Sequence, residues 1–180
     1  LGFGAEFIPI YQKHNNANCY AICQRNEDSL KEIGDAFGIE KRYTRFEDVL
    51  SDPDVDAIHM NTPIAVHGAM SIAGLEAGKH VYSEKPFATS IEDGKKILEL
   101  AQSKGLYVGN APDTFLGGRV QTCRRLIDEG LIGKPTGVTA FACTHGVERH
   151  HPNPDFYYKE GGGPLLDLGP YYLTAMISLL

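Results

Sequence analysis

No apolar run in the chain approaches the ~18 residues that a membrane-spanning helix needs, so no membrane span is expected. Basic residues are few and scattered. Lys plus Arg number 17 against 23 Asp plus Glu, the formal charge is −6, and no basic block occurs. This balance argues against a nucleic-acid or anionic-membrane surface, although a local patch is compatible with a negative total. Only four cysteines are present (Cys19, Cys23, Cys123, Cys143), with no C-x-x-C and no zinc-like pairing to histidine. A disulfide framework is therefore not expected, and free thiols in a reducing cytoplasm are the simple reading. There is no initiator Met, no charged leader and no signal-type apolar core, so no targeting segment is visible. The chain opens inside a glycine-rich turn and closes within the apolar run from Tyr171 to Leu180, so both ends read as cut. What is present, 42% hydrophobic and 22% charged residues over 180 positions, is ordinary globular usage, enough for one domain or one plus part of another.

Strand-type and helix-type segments alternate. Strands are expected at 19–23, 55–60, 80–82 and 106–109, and helices at 28–37, 67–77 and 90–103. Gly38, Gly78 and Gly105 stop the helices, and Ser90 with Asp93 three residues on marks the start of the last one. Strand–helix–strand repetition with short loops predicts an α/β fold, a doubly wound parallel sheet with helices on both faces. After Asn110 the pattern changes: a junction at 112–118, a helix at 118–129, a longer strand at 138–144, a polar loop at 145–163 and a helical segment from Pro164. Residues 1–112 form one expected domain. Residues 113–180 are the start of a second, too short to be complete.

Leu1-Gly2-Phe3-Gly4-Ala5-Glu6 would complete G-x-G-x-x-A if a glycine preceded Leu1. Such glycines let the backbone approach a pyrophosphate at a helix N-terminus, while a plain turn is the alternative. A strand ends at Cys23, 21 residues after Gly2, where the group that holds an adenine ribose is expected. Gln24-Arg25 stands there with no acid. A neutral residue beside a cation accepts a 2′-phosphate, so the cofactor reading is NADP or NAD with a lean towards NADP; a solvated Arg25 is the plain alternative. Asn61-Thr62-Pro63 and Ser83-Glu84-Lys85-Pro86 each follow a strand, and ligands of open parallel sheets bind outside those carboxyl ends. An ordinary exposed Glu84–Lys85 ion pair is the bland alternative. Gly161-Gly162-Gly163 leads into a helix carrying Asp167 and Tyr171 at i, i+4, with Pro170 set to kink it between them. A loop-to-helix junction with a tyrosine bonded to an acid is the alternative there.

Taken in order, the Gly turn, Asn-Thr-Pro with His67 four residues after Pro63, Glu84-Lys85-Pro86, and the Gly-Gly-Gly…Asp167…Tyr171 segment resemble the glucose–fructose oxidoreductase/inositol dehydrogenase (Gfo/Idh/MocA) family. The resemblance implies a Rossmann domain followed by an α/β domain with a large open antiparallel sheet. It further implies an NAD(P)-dependent oxidoreductase acting on a CH–OH carbon of a sugar, cyclitol or related polyol. Lys85, Asp167 and Tyr171 are the implied catalytic residues. Gly2, Phe3, Gly4, Ala5, Glu6, Gln24, Arg25, Asn61, Thr62, Pro63, His67, Glu84 and Lys85 are the implied cofactor contacts. Asn110, His151, Asp155 and Tyr157 join Lys85, Asp167 and Tyr171 on the substrate side. Tyr171 stands where many members have histidine, and Thr114 where arginine is common.

In the implied chemistry Tyr171 gives or takes one proton, with the Lys85 ammonium lowering a phenol pKa that is ordinarily ~10. The alternatives are a non-catalytic dinucleotide-binding regulator of the same family and an inactive truncated product. Retention of the lysine and of the acid–hydroxyl pair favours the enzyme. His145, His150 and His151 form no metal set, because adjacent histidines rarely share one tetrahedral ion, so no metal is expected. The segment 138–144 carries no charge on either face, which predicts a sheet that packs between subunits of a cytoplasmic homodimer or homotetramer.

Overall fold

A computed structural model describes residues 2–149, 154–159 and 161–180. The glycine turn becomes a 3-10 helix, Gly2–Phe7, that runs into α1 (Ile8–Lys13). Pro9 lies in the first turn of α1, where its missing N–H removes no helical bond. There follow β1 (Ala21–Cys23), α2 (Glu27–Phe37), β2 (Lys41–Tyr43), α3 (Phe46–Ser51), β3 (Ala57–Met60), α4 (His67–Glu76), β4 (His80–Ser83), α5 (Ile91–Lys104) and β5 (Val108–Asn110). All pairings are parallel, β1 with β2 and, in a second sheet, β3-β4-β5. Among the described residues no strand joins β1 to β3.

The helix ends follow local chemistry. The Asn26 side chain accepts the Ser29 N–H at 2.8 Å, and Gly38 at φ 66° lets the Ile39 N–H return to the Gly34 carbonyl. Ser90 caps α5 by accepting the Asp93 N–H at 3.0 Å. Each sheet has its own core. Ile8, Ile22, Leu30 and Ile39 pack around β1, while Ile58, Met60, Leu75, Val81, Ile97 and Ala101 fill the space between β3, β4, α4 and α5. Gly74 is needed there, because a Cβ would come within 2.9 Å of Val81 Cγ2.

Three elements escape sequence reading, α1, β2 and α3. Two of the three β2 residues are charged, so no apolar run marks it. Instead Arg42 is fixed by its own contacts: Nε donates to the Ile39 carbonyl at 2.7 Å, Nη1 pairs with Asp35, and the guanidinium lies against Gly34.

The second part holds α6 (Gly118–Asp128), a 3-10 turn at Pro154–Tyr158, α7 (Pro164–Asp167) and α8 (Gly169–Leu179). α7 and α8 break at Leu168, just ahead of Pro170, as the helix-kinking residue predicts. The strand expected at 138–144 is absent: these residues have no regular structure and are exposed. A strand needs a partner for its N–H and C=O groups, and no described residue pairs with this segment. The open antiparallel sheet is thus not formed among the described residues. None of the described helices is long and apolar enough to cross a membrane, and all four cysteines are free.

Candidate active site

The loops leaving β3 and β4 face the glycine turn, as carboxyl ends of parallel strands do. Phe3, Asn61, Thr62, Ile64, His67, Glu84, Lys85 and Tyr171 line a cleft of about 450 Å³ between them. Of the expected residues, it gathers the glycine-turn, Asn-Thr-Pro and Glu-Lys groups together with Tyr171 from α8. Gln24 and Arg25 lie at the end of β1, away from this lining; Arg25 is exposed and has no ion pair among the described residues. Gly4 sits against the β3 loop, where a Cβ would meet Asn61 at 3.1 Å. Ala5 and Glu6 continue the same 3-10 helix, and Pro63 follows Thr62 into the short 3-10 turn Ile64–Val66.

Lys85 binds the second part of the chain to the first. Its Nζ pairs with the Asp167 carboxylate, donates to the Asp167 carbonyl at 3.0 Å and sits 5.3 Å from the centre of the Tyr171 ring. The Lys85–Pro86 peptide is cis. Asp167, at the end of α7, and Tyr171, in the first turns of α8, therefore share one face around the ammonium, as their spacing predicts. Asn110 buttresses rather than lines the site. Its amide donates to the Ser83 carbonyl at 2.9 Å and the Glu84 carbonyl at 3.1 Å, fixing the loop that carries Lys85. Tyr157 is buried, Asp155 is exposed, and His151 lies outside the described residues, as does His150.

The expected lowering of the Tyr171 pKa is not found. The phenol is pushed up to about 12, first by burial and then by the negative field of Glu84, Asp113 and Asp167. The reason is visible in the ion pair: the Lys85 charge is spent on Asp167, leaving burial and carboxylates to dominate. Burial also pushes the Glu84 carboxyl up. Two contributors were missed from sequence, Ile64 as a wall and Asp113 as a source of charge. Asp113 lies in the Pro112-Asp113 junction, and nothing in its local pattern points to the cleft.

The cleft retains polar capacity. Asn61 Oδ1 and Thr62 Oγ1 are buried and have no hydrogen-bond partner among the described residues. An unmet amide oxygen and hydroxyl beside a glycine-lined backbone fit a dinucleotide. No group of His, Cys, Asp or Glu among the described residues is spaced to hold a metal.

Comparison with known proteins agrees with this geometry. Residues 2–111 match the family model described as "Oxidoreductase family, NAD-binding Rossmann fold", and residues 120–180 match the GFO/IDH/MocA C-terminal domain. The chain belongs to the Gfo/Idh/MocA family. It is 31% identical over 137 residues to 1,5-anhydro-D-fructose reductase of Ensifer adhaerens, covering 73% of this chain and 39% of that protein. It is 30% identical over 170 residues to dTDP-3,4-didehydro-2,6-dideoxy-alpha-D-glucose 3-reductase of Actinomadura kijaniata, covering 93% of this chain and 50% of that one. Among solved structures, scyllo-inositol dehydrogenase from Lactobacillus casei with bound NAD(H) and scyllo-inositol superposes with a TM-score of 0.66 at 25% identity, covering 73% of this chain and 38% of that one. The chain spans half or less of the length of these relatives.

Proposed function

We propose that this chain carries the dinucleotide-binding and catalytic groups of an oxidoreductase acting on a sugar, cyclitol or related polyol. The observation that carries the reading is the Lys85–Asp167–Tyr171 cluster opening onto a cleft with unmet polar atoms at Asn61 and Thr62. Asn61, Thr62 and the Gly2–Gly4 backbone would hold a nicotinamide dinucleotide, which supplies hydride exchange with the substrate carbon when bound. The chain's own task is to place that carbon and manage one proton. Lys85, held by Asp167, presents a positive charge that stabilises oxygen as it becomes negative. Tyr171 stays protonated near neutral pH. In the reductive direction it gives its proton to that oxygen and is reprotonated from solvent. Asp155 and Tyr157, with His151, would meet the remaining hydroxyls.

An exposed Arg25 and the lack of an acid next to it in sequence favour NADP over NAD. The division into residues 1–112 and 113–180, a cytoplasmic location and assembly as a homodimer or homotetramer belong to the same proposal. The exposed apolar side chains of residues 138–144, Phe141 at 84% exposure among them, support the assembly. Incubating the protein with NADP⁺ or NAD⁺ and a panel of polyols, followed by nicotinamide absorbance, tests the reading. Lys85→Met should lower turnover ~10²–10³-fold while dinucleotide binding persists. Unchanged turnover would remove Lys85 from the mechanism, and dinucleotide binding with no turnover on any polyol would favour the regulatory alternative.

A further inference from the structure

Asp113 stands just beyond the carboxyl end of β5, as Glu84 does beyond that of the neighbouring β4. The strands pair with Ser83 opposite Asn110, and the Ala111 N–H extends the ladder by donating to the Ser83 carbonyl at 3.1 Å. The Asp113 N–H then turns back to the Ala111 carbonyl at 2.8 Å, which keeps the residue at this end of the sheet. Its side chain is exposed, and its field reaches the cleft. Burial comes first in raising the Tyr171 and Tyr82 phenols. The charges that follow are Glu84 and then Asp113 at Tyr171, and Asp113 and then Glu84 at Tyr82.

No free cation balances these carboxylates. Among the described residues, Lys85 is the only Lys or Arg that lines the cleft, and its ammonium is paired with Asp167. Neither Glu84 nor Asp113 takes part in an ion pair among the described residues. His67 has no free ring nitrogen to offer: Nδ1 lies 2.9 Å from the Pro86 oxygen and Nε2 lies 2.8 Å from the Thr62 oxygen. The positive end of α4, which starts at His67, lies with Thr62 on the side proposed to hold the dinucleotide. The side at Glu84 and Tyr171 is left electronegative.

We propose that Asp113 is a specificity-determining residue that, with Glu84, restricts the substrate to a polyol without an acidic group. An ammonium-bearing sugar is preferred to its neutral counterpart, and the neutral sugar to its acid. This deepens the function proposed above and rests on it for the substrate. A carboxylate or phosphate entering beside Tyr171 would meet two carboxyl groups and no unpaired cation. Like charges brought together in a cleft repel more strongly than in open water, so the acid is turned away before it reaches Lys85. An ammonium group would instead find acceptors that no residue of the chain already holds.

The test uses NMR of the isotope-labelled full chain and has two arms. The first compares a cationic with an anionic nitroxide by the relaxation each causes at the Glu84, Lys85 and Tyr171 amide protons. The cationic probe should act about threefold more strongly in wild type, and the ratio should fall towards one in Asp113→Asn. Asp56→Asn removes the same charge from an exposed position at the amino end of β3 and should keep the wild-type ratio. The second arm titrates glucosamine, glucose and glucuronate, which place different charges on one ring. Glucose should bind about tenfold more tightly than glucuronate, and glucosamine more tightly than glucose. Asp113→Asn should narrow the glucose–glucuronate gap to about threefold, and Asp113→Lys should reverse it. High salt should narrow the gap in wild type without any substitution. Equal action of the two nitroxides in wild type, a ratio that Asp113→Asn leaves unmoved, or glucuronate bound as tightly as glucose overturns the proposal. A wild-type chain that binds none of these sugars contradicts the proposed function instead, and the nitroxide ratio alone then decides the charge of the cleft.

Discussion

Residues 2–111 and residues 118–180 use their apolar side chains in opposite ways. In the first, Leu75 and Ile97 are at 0% exposure between sheet and helices, and every buried aliphatic side chain of the described core belongs to this part. In the second, Tyr157 is the only buried apolar residue among those described, while Leu165, Ile177 and Leu131 stand about 70% open or more. The first part therefore makes its own core. The second is held by discrete polar ties: Lys85 to Asp167, and, within it, the Arg124 Nη1 donation to the Ser178 carbonyl at 3.0 Å. The candidate active site lies on the seam, where the β4 loop supplies the lysine and the α7–α8 pair supplies its acid and phenol.

The contrast is sharpest under truncation. Leu75→Ala should cost about 2–5 kcal/mol in urea unfolding, through lost burial and the cavity left behind. Ile177→Ala should change stability by no more than about 0.5 kcal/mol. Comparable losses at the two sites would erase the distinction between the parts.

Acid should attack the first part in two windows. His59 on β3 packs among Phe7, Tyr11 and Tyr82, and burial pushes it down to about 4 from an ordinary 6.5. The unfolded chain thus binds this proton more readily. The stability His59 contributes is fully present above about pH 6.5 and is lost as pH falls through about 4. Asp52 is pushed down to about 2 by the Tyr43 hydroxyl and the Asp54 N–H, so its contribution is present above 3.8 and is lost only as pH falls towards 2. Melting temperatures of wild type and His59→Asn from about pH 4 to about pH 7 should show the upper decline only in wild type. A parallel decline in both would assign it elsewhere. The smallest effect is at a helix end: Ser90→Ala should cost about 1 kcal/mol by unmaking the α5 cap. No change in urea midpoint would show that this cap is supported by tertiary packing instead.

The parallel sheets and the cluster around Lys85 were legible because local signals agreed with the fold. Helices α2 and α5 begin and end at Asn26, Gly38, Ser90 and Gly105, and the ligand-facing loops follow strands whose apolar runs are plain. β2 was not legible, because Arg42 is held by Gly34, Ile39 and Asp35 rather than by an apolar pattern. The strand at 138–144 was over-read from a small, uncharged pattern, which describes a surface able to pair but cannot supply the partner. The rise in the Tyr171 pKa was hidden for a related reason: spacing places Lys85 near the phenol, but only the fold shows that Asp167 takes the ammonium and that Asp113 adds a second carboxylate field. The double engagement of His67 depends on two carbonyls from separate loops, which side-chain patterns do not encode.

The central claim, that the cleft between the glycine turn and the Asn-Thr-Pro and Glu-Lys-Pro loops is a dinucleotide site, is tested most directly by titrating the isotope-labelled chain with NADPH and with NADH. Saturable NMR shifts are expected at Phe3, Gly4, Asn61, Thr62 and Glu84, with the Asn61 side-chain amide among the strongest. Shifts confined to the separate cavity lined by Gln12, Cys19, Tyr20 and Lys41, or no saturable shifts at all, would contradict the account.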